Sequence, residues 1–193
     1  MTEPPASYSA RRQLIAEKLD PYFGVSSMVP TNTSSAFEPG MFEHSLTCSW
    51  ADPETLSSRT LSVFIDPVSD GASKAADVRD MMQEEAVITP GEEPQDAEAY
   101  EVPGQNPGEY VFVLNYLGRL TAIAGNCVVQ VMPWPVTAPL GDLAHVALDI
   151  ARTVGCSAYV DDFEPPAIDH EKASGTWSTA DGWVYDPRTP PSR

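Results

Sequence analysis

The stretch YVFVLNYLGRLTAIAGNCVVQVM, residues 110–132, decides the fold of this chain. It is rich in β-branched and aromatic residues, it contains no proline, and Arg119 is its one charged side chain. This composition is typical of strands in the covered part of a β-sheet. The run is too long for one strand, and Gly118 and Gly125 provide natural breaks. We therefore predict an antiparallel meander with strands at 110–116, 120–124 and 127–132.

Alternating side chains before the meander predict a hairpin. Between Phe42 and Trp50, polar residues occupy every second position, which predicts a strand with one buried and one solvated face. The predicted buried face consists of Phe42, His44, Leu46, Cys48 and Trp50. A second strand is expected at 61–66, where Pro67 ends it, and we expect the two strands to pair.

Two helices are predicted in the first half of the chain. The first begins at a cap formed by Ser7 or Ser9 and is stopped by Pro21. The second covers 73–87, with Ser73 as its cap. Its core face follows the spacing of an amphipathic helix and consists of Val78, Met81, Met82 and Ala86.

The third predicted helix has the strongest signal. Pro139 precedes it, and Gly155 is in position to stop it. An unbroken apolar stripe should lie across the sheet. The stripe consists of Leu143, Val146, Ala147, Ile150, Ala151 and Val154.

The connections are rich in Pro, Gly, Ser and Thr. Residues 24–40 are predicted to be irregular. Residues 88–108 are strongly acidic, and we expect a mobile loop there with a short strand at 99–102. Pro133-Trp134-Pro135 should end the meander, because proline continues neither a helix nor a central strand.

These elements predict an α+β fold. We expect two layers: an antiparallel or mixed sheet of about five strands, with about three helices mainly on one face. The domain should cover 7–156, after a disordered lead at 1–6. An acidic, proline-rich tail at 157–193 follows, with a small hairpin at 176–185 around an Asp-Gly turn.

The net charge narrows the range of partners. The chain carries 28 acidic and 11 basic residues, which gives a formal charge of −17. Phosphate backbones and anionic lipids should repel it, so we expect no nucleic-acid partner and favour a cationic protein or peptide. No stretch reaches the roughly 20 apolar residues that span a bilayer, so we expect no transmembrane segment. The amino terminus lacks the apolar region of a signal peptide, which favours the cytoplasm unless a leader was removed.

Several motifs together resemble a known family. The Cys48-Ser49-Trp50 motif, the strand GNCVVQV at 125–131 and the helix LAHVALDIARTV are similar to those of actinobacterial cell-envelope lipoproteins of unknown function. Similar domains form the extracellular sensor regions of bacterial serine/threonine kinases. The resemblance extends over about residues 8–156. It implies a non-catalytic binding or sensing domain at the cell envelope or outside the cell, and it supplies no catalytic residues.

The three cysteines allow at most one internal disulfide. Cys48 and Cys127 lie on predicted strands, where they would either form a bridge or remain two reduced core side chains. A bridge between them would stabilise the fold by roughly 4 kcal/mol in the chain-entropy model. Cys156 follows a helix end, where a thiol is a poor nucleophile, and we expect it to be unpaired.

No motif indicates catalysis, a metal or a cofactor. The histidines, His44, His145 and His170, are too scattered for a local imidazole site, and we expect a buried, hydrogen-bonded His44. The chain has no G-x-S-x-G elbow, no phosphate-binding loop, no dinucleotide fingerprint and no calcium loop. We therefore expect a protein that is not an enzyme and needs no cofactor.

Aromatic residues in connections and in the tail are the candidate contacts for a partner. They would either bind a ligand or fold back over the open face of the sheet. They are Trp134, Trp177, Trp183 and Tyr185.

Two functional hypotheses follow. The first is a non-enzymatic binding or sensing domain of the envelope lipoprotein type, whose ligand surface is formed by the loops at 24–40, 88–108 and 133–138. The second is a cytosolic acidic interaction protein, such as a secretion chaperone or an immunity protein, that covers a basic partner.

Overall fold

The computed structural model describes residues 7–32, 45–54, 59–85, 98–137, 139–160 and 162, together with the backbone of two short strands at 176–178 and 184–186. Within these ranges, every helix falls short of the length and apolar character that spanning a bilayer requires. The helices are α1 (Tyr8–Phe23), α2 (Gly71–Glu85) and α3 (Ala144–Thr153). The strands are β1 (Val29–Asn32), β2 (Leu46–Ala51), β3 (Thr60–Pro67), β4 (Ala99–Pro103), β5 (Glu109–Leu114), β6 (Arg119–Ala124), β7 (Cys127–Trp134), β8 (Thr176–Ser178) and β9 (Val184–Asp186). Short 3₁₀ turns occupy Val25–Ser27, Asn115–Leu117 and Leu140–Leu143.

Seven strands form one antiparallel sheet in the order β1-β2-β3-β7-β6-β5-β4. The predicted α+β class is confirmed, although the sheet has more strands than the predicted five. The unanticipated strand is β1, which pairs with β2 from within the stretch that we predicted to be irregular. Because β1 is short and contains Pro30, its sequence carries no strand pattern. Its extended conformation is stabilised by the hydrogen bonds of its pairing with β2.

The predicted meander is confirmed. β5, β6 and β7 pair in succession, with Val113 opposite Leu120 and Ala122 opposite Val129. Gly118 and Gly125 lie at the two turns, with φ of 58° and 59°. A residue with a Cβ is strained in this left-handed conformation, which explains why glycine marks both breaks.

Helices cover both faces of the sheet. On one side, which we call the α3 face, α1 and α3 bury the larger core, and the entire predicted stripe of α3 is buried there. On the other side, the α2 face, Ala75, Val78 and Met82 pack against the end of the sheet near β5. Two helices therefore share one face and the third lies opposite. Each fully buried aliphatic side chain contributes about 1.5–3 kcal/mol, so the apolar stripe is a major part of the stability.

The ends of two helices differ from the prediction. Ser7 caps α1, since its Oγ accepts the backbone N–H of Ala10 at 3.3 Å. However, α1 continues past Pro21 to Phe23, which is buried. One missing donor in the last turn costs less than exposing Phe23 would. The second helix begins before Ser73, and Asp70 caps it by accepting the N–H of Ala72 at 3.0 Å.

The meander also extends further than predicted. β7 runs through Pro133 and Trp134, which pair with Leu61 and Thr60 of β3. The last pair between β6 and β7 joins Leu120 to Val131, so Pro133 lies beyond the end of β6. Proline has no N–H to donate, and it is tolerated here because no strand pairs with this flank of β7.

The predicted hairpin of β2 and β3 is confirmed for the residues described. Leu46, Cys48 and Trp50 are buried on the α3 face, as the alternation indicates. Thr47 lies on the α2 face, where a solvated side chain was expected, yet it is buried. Its register partner on that face is the aromatic Phe64 of β3. The first positions of the predicted strand, including Phe42 and His44, lie outside the described residues, as do 88–97 of the predicted acidic loop.

The disulfide joins Cys127 to Cys156, with a Cα–Cα distance of 5.6 Å. Both alternatives for Cys48 and Cys127, a bridge between them or two reduced thiols, and the expectation of an unpaired Cys156 are therefore wrong. Cys48 pairs with Val63 of β3, whereas Cys127 pairs with Pro67, and four residues of strand span about 13 Å. That is too far for a disulfide. Cys48 is a free, buried thiol.

The chain after α3 packs along α1. Arg11 is 2% exposed and donates to the carbonyls of Ser157 and Ala158 at 2.7 and 3.0 Å. The hydroxyl of Tyr159 donates to the carbonyl of Ser45 at 2.8 Å. These contacts join residues after Cys156 to the core. Further along, β8 pairs with β9, and Trp177 lies opposite Tyr185.

Candidate binding groove

An open groove lies on the α2 face, on the part of the sheet formed by β3 and the end of β7. Its volume is about 410 Å³. One wall is the 3₁₀ turn Asn115–Leu117 with Gly118, and the other comes from residues 133–136. The strands form its floor.

Strand alternation places the floor residues. Thr60, Ser62 and Phe64 are alternate residues of β3, so their side chains leave the same face of the sheet. Met132 of β7 is the register partner of Ser62 and joins them. The hydroxyls of Ser62 and Ser49 form a hydrogen bond of 2.9 Å, which connects the floor to β2.

The wall that follows β5 is fixed by backbone hydrogen bonds. The N–H of Tyr116 donates to the carbonyl of Glu98 at 3.3 Å, and the N–H of Gly118 donates to the carbonyl of Asn115 at 3.0 Å. A Cβ added at Gly118 would lie 3.4 Å from Val136 Cγ2. This is an ordinary van der Waals contact, so it is the positive φ of Gly118 that favours glycine at this position.

The rim of the groove is apolar and exposed. The relative exposure is 65% for Trp134, 44% for Val136, 43% for Leu117 and 36% for Tyr116. In the described part of the chain, these are four of the five large apolar residues that remain exposed. Scattered apolar side chains are normal on a surface, whereas a cluster indicates an interaction site.

The groove is uncharged. None of the described residues that line it is acidic or basic, although the whole chain carries a formal charge of −17. Its polar groups are the hydroxyls of Thr60, Ser62 and Tyr116 and the amide of Asn115. This set can donate and accept hydrogen bonds, and three aromatic rings from Phe64, Tyr116 and Trp134 accompany it.

A second cavity of about 430 Å³ lies between α1 and β1. The guanidinium of Arg12 lies 5.7 Å from the centre of the Trp50 ring, which forms part of its wall. Asp20 also lines it, but its carboxylate accepts the backbone N–H of Ser26 at 2.6 Å. This hydrogen bond lowers the pKa of Asp20. Glu17, the other acidic residue of the lining, accepts Nε2 of Gln13 at 2.9 Å, so both carboxylates of this cavity form local hydrogen bonds.

The free thiol is unsuited to chemistry. Cys48 is fully buried, and burial raises the pKa of its thiol to about 12. It therefore remains protonated at neutral pH, and a protonated thiol is neither a nucleophile nor a metal ligand. The neighbouring Tyr8 is buried too, which raises its pKa, and its hydroxyl donates to the carbonyl of Thr47 at 2.8 Å.

The structure places the residues singled out from the sequence in different regions. Trp134 lies at the rim of the groove, and Trp177 and Tyr185 lie in β8 and β9, while Trp183 falls outside the described residues. Of the histidines, His145 has its Nε2 at 3.3 Å from the hydroxyl of Tyr22. His44 and His170 lie outside the described ranges. Within those ranges, no three His, Cys, Asp or Glu side chains come together in a way that could hold a metal ion.

Sequence reasoning missed most of the groove. The floor residues Thr60, Ser62 and Phe64 belong to a strand whose other face is core, and a strand pattern does not tell which part of the second face a helix will cover. Tyr116 and Leu117 did carry a signal, because large apolar residues directly beside a predicted break are unusual in a turn. Of the three loops expected to bind, the one at 133–138 contributes to the groove.

The family described as Domain of unknown function (DUF7956) matches residues 7–173, which is most of the chain. No curated protein matches the chain, and no solved structure matches it.

Proposed function

The chain belongs to this family of unknown function, and on that premise we propose that it is a non-enzymatic binding domain of the type found in bacterial envelope lipoproteins and sensor regions. Its ligand occupies the groove on the α2 face. The observation that carries this proposal is the exposure of Trp134, 65%, at the rim of an uncharged groove. A large aromatic side chain left in water is a typical contact residue of an interface.

Burial energetics support the rim as a contact surface. Tryptophan buries about 150–250 Å² when it is fully covered, and apolar burial contributes about 25 cal/mol per Å². Covering the exposed part of Trp134 would therefore contribute on the order of 3 kcal/mol, before the costs of association. Covering Tyr116, Leu117 and Val136, which are also exposed at the rim, would add to this contribution.

The composition of the groove supports binding rather than turnover. General acid–base catalysis needs a group whose pKa lies near the working pH, and nucleophilic catalysis needs an activated side chain with a base beside it. The described lining residues supply hydroxyls, an amide and aromatic rings, without a carboxylate, imidazole or thiol. Such groups are suited to hydrogen bonding and packing against a ligand, and a hydroxyl without an adjacent base is a weak nucleophile.

The test is a binding screen read by ¹H–¹⁵N NMR of the full chain. The probes are neutral oligosaccharides, soluble peptidoglycan fragments, lysine-rich peptides and a library of aromatic fragments. We expect the Trp134 indole N–H and the Gly118 amide to shift with at least one class. Trp134→Ala removes the indole signal itself and should abolish the shift of the Gly118 amide, whereas Val160→Ala should leave both shifts unchanged. Val160 is the matched control because it is also 65% exposed but pairs with Ser7 at the start of α1. Turnover of any probe, or shifts confined to other surfaces, would contradict the proposal.

The net charge favours a second candidate function. A chain with 28 acidic and 11 basic residues attracts a basic protein, as a cytosolic chaperone or immunity protein would. Salt separates the two candidates. Binding of a lysine decapeptide to a charged surface weakens strongly between 50 and 500 mM NaCl, whereas binding in an uncharged groove changes little.

A further inference from the structure

We propose that the ligand of the groove is a neutral carbohydrate, bound as two or three sugar units of an oligosaccharide. This inference rests on the proposed function, because it names the ligand class of the same site. It joins three observations: aromatic rings at the rim, hydroxyl groups on the floor and the absence of charge among the described lining residues.

The aromatic residues match one side of a sugar ring. A pyranose presents a face of C–H groups, which packs on an aromatic ring, and a circumference of hydroxyls, which remain polar. Trp134 and Tyr116 are 65% and 36% exposed at the rim, so a ligand can reach their rings. Both side chains combine an apolar body with a polar tip, which suits a ligand that is itself amphipathic.

The floor matches the hydroxyls of a sugar. Thr60 and Ser62 each provide one donor and an acceptor oxygen, and sugar hydroxyls have the same dual character. The 2.9 Å hydrogen bond between Ser62 and Ser49 holds the Ser62 hydroxyl in position.

The same features disfavour other ligand classes. A lipid tail would take the polar groups of the floor out of water and offer them no hydrogen bond, which costs free energy. A peptide that binds by adding a strand needs a free sheet edge of some length. Under the groove β3 is paired on both sides, with β2 and β7, and the flank of β7 beyond its last pair with β6 covers only residues 132–134, where Pro133 has no N–H to donate. A charged ligand would find no opposite charge among the described lining residues.

The volume sets the length of the ligand. The groove measures about 410 Å³, within the range of about 300–1,000 Å³ of small-molecule sites. This suits two or three sugar rings. Because its two walls, at 115–118 and 133–136, leave the groove open to solvent, a longer chain could continue beyond them.

The experiment titrates the full chain with defined oligosaccharides by calorimetry and by NMR of the Trp134 indole. The neutral panel consists of hexasaccharides of α-1,4-glucose, β-1,4-glucose, β-1,4-mannose, β-1,4-xylose and β-1,4-N-acetylglucosamine, and oligogalacturonate is the anionic comparison. We expect at least one neutral member to bind, with affinity unchanged between 50 and 500 mM NaCl, and oligogalacturonate to bind at least tenfold more weakly. Trp134→Ala should lower the affinity at least tenfold, with partial recovery in Trp134→Phe.

The floor is tested separately. Thr60→Val keeps the shape of the side chain and removes its hydroxyl, so we expect a twofold to tenfold loss of affinity. Val160→Ala should bind as the wild type does, and circular dichroism with thermal unfolding verifies that each variant is folded. Failure of every neutral member, or equal binding of oligogalacturonate, would overturn the carbohydrate inference. If peptides or fragments still shifted the Trp134 indole signal, the proposed binding function would stand without the carbohydrate inference. If no probe shifted the signal, both proposals would be contradicted.

Discussion

The carboxylate of Glu109 accepts hydrogen bonds from two different elements of the fold. It accepts Nε and Nη2 of Arg152, each at 2.7 Å, and the backbone N–H groups of Gln105 and Asn106 at 3.1 and 2.9 Å. The side chain is 8% exposed. The hydrogen bonds from Arg152, followed by those from Asn106, lower the pKa of Glu109 to about 2. The contacts join the turn between β4 and β5 to α3.

Glu109→Gln should lower the free energy of unfolding by about 1–3 kcal/mol at pH 7, because charge-assisted hydrogen bonds are lost. The pKa of Glu109 is about 2 in the folded protein and about 4.3 in the unfolded chain. The contribution of its charge is therefore fully present above about pH 4.3 and is lost as the pH falls toward 2. Urea unfolding should show the same difference between wild type and variant at pH 7 and pH 5 and a smaller difference at pH 3. Glu101→Gln is the control, since the Glu101 side chain is 37% exposed and its ion pair with Arg79 should contribute under about 1 kcal/mol. A difference that is constant with pH would contradict this account.

Cys48 gives a prediction about reactivity. Because burial raises the pKa of its thiol to about 12, iodoacetamide at pH 8 should leave the native protein unlabelled. After denaturation without reductant, a single thiol should react, and peptide mapping should identify it as Cys48. Native labelling at the rate of free cysteine, or three reactive thiols in the oxidised protein, would refute the assignment.

Among the structural elements, α3 and β7 are joined by a covalent bond. The disulfide connects Cys127 at the start of β7 to Cys156, just after α3, across 29 residues of sequence. A cross-link over this separation removes chain entropy from the unfolded state worth about 3–4 kcal/mol. It also holds the segment that follows α3 and continues to the contacts of Arg11 with Ser157.

Cys156→Ser should therefore lower the free energy of unfolding by about 3–4 kcal/mol in the chain-entropy model. Chemical denaturation of wild type and variant, with and without dithiothreitol, measures this loss. Reductant should destabilise the wild type to the level of the variant and leave the variant unchanged. A non-reducing peptide map with a Cys48–Cys127 linkage would contradict the pairing.

The elements also show what a sequence can reveal about this fold. The meander and α3 were predictable because a continuous apolar run and a stripe of period 3.6 report burial through local spacing. β1 and the disulfide depend on which distant segments meet, and no local pattern contains that information. The groove was partly predictable from the sequence, through Trp134. Its floor of hydroxyl groups on β3 is open because α2 covers the end of the α2 face near β5 and leaves the part at β3 uncovered. Strand propensity does not indicate which part of a sheet face a helix will cover.

At the scale of the whole molecule, a neutral groove lies on a strongly acidic protein. The 28 acidic residues repel one another through solvent, while the groove interacts by packing and hydrogen bonds. These effects respond differently to salt, because screening acts on exposed charges and hardly changes the contacts of uncharged groups. Stability and ligand affinity should therefore separate when the ionic strength changes.

Raising NaCl from 20 to 300 mM at pH 7 should increase the thermal midpoint by several degrees, because screening relieves the repulsion that accompanies a formal charge of −17. Differential scanning calorimetry measures the shift. At pH 5 some carboxylates are protonated, so the same increase in salt should produce a smaller rise. The exposed ion pair of Arg79 with Glu101 weakens with salt, but a pair of this kind contributes under about 1 kcal/mol and should not reverse the sign. A midpoint that falls with salt at pH 7 would mean that attractive pairs outweigh repulsion, and the acidic surface would then be part of what holds the fold together.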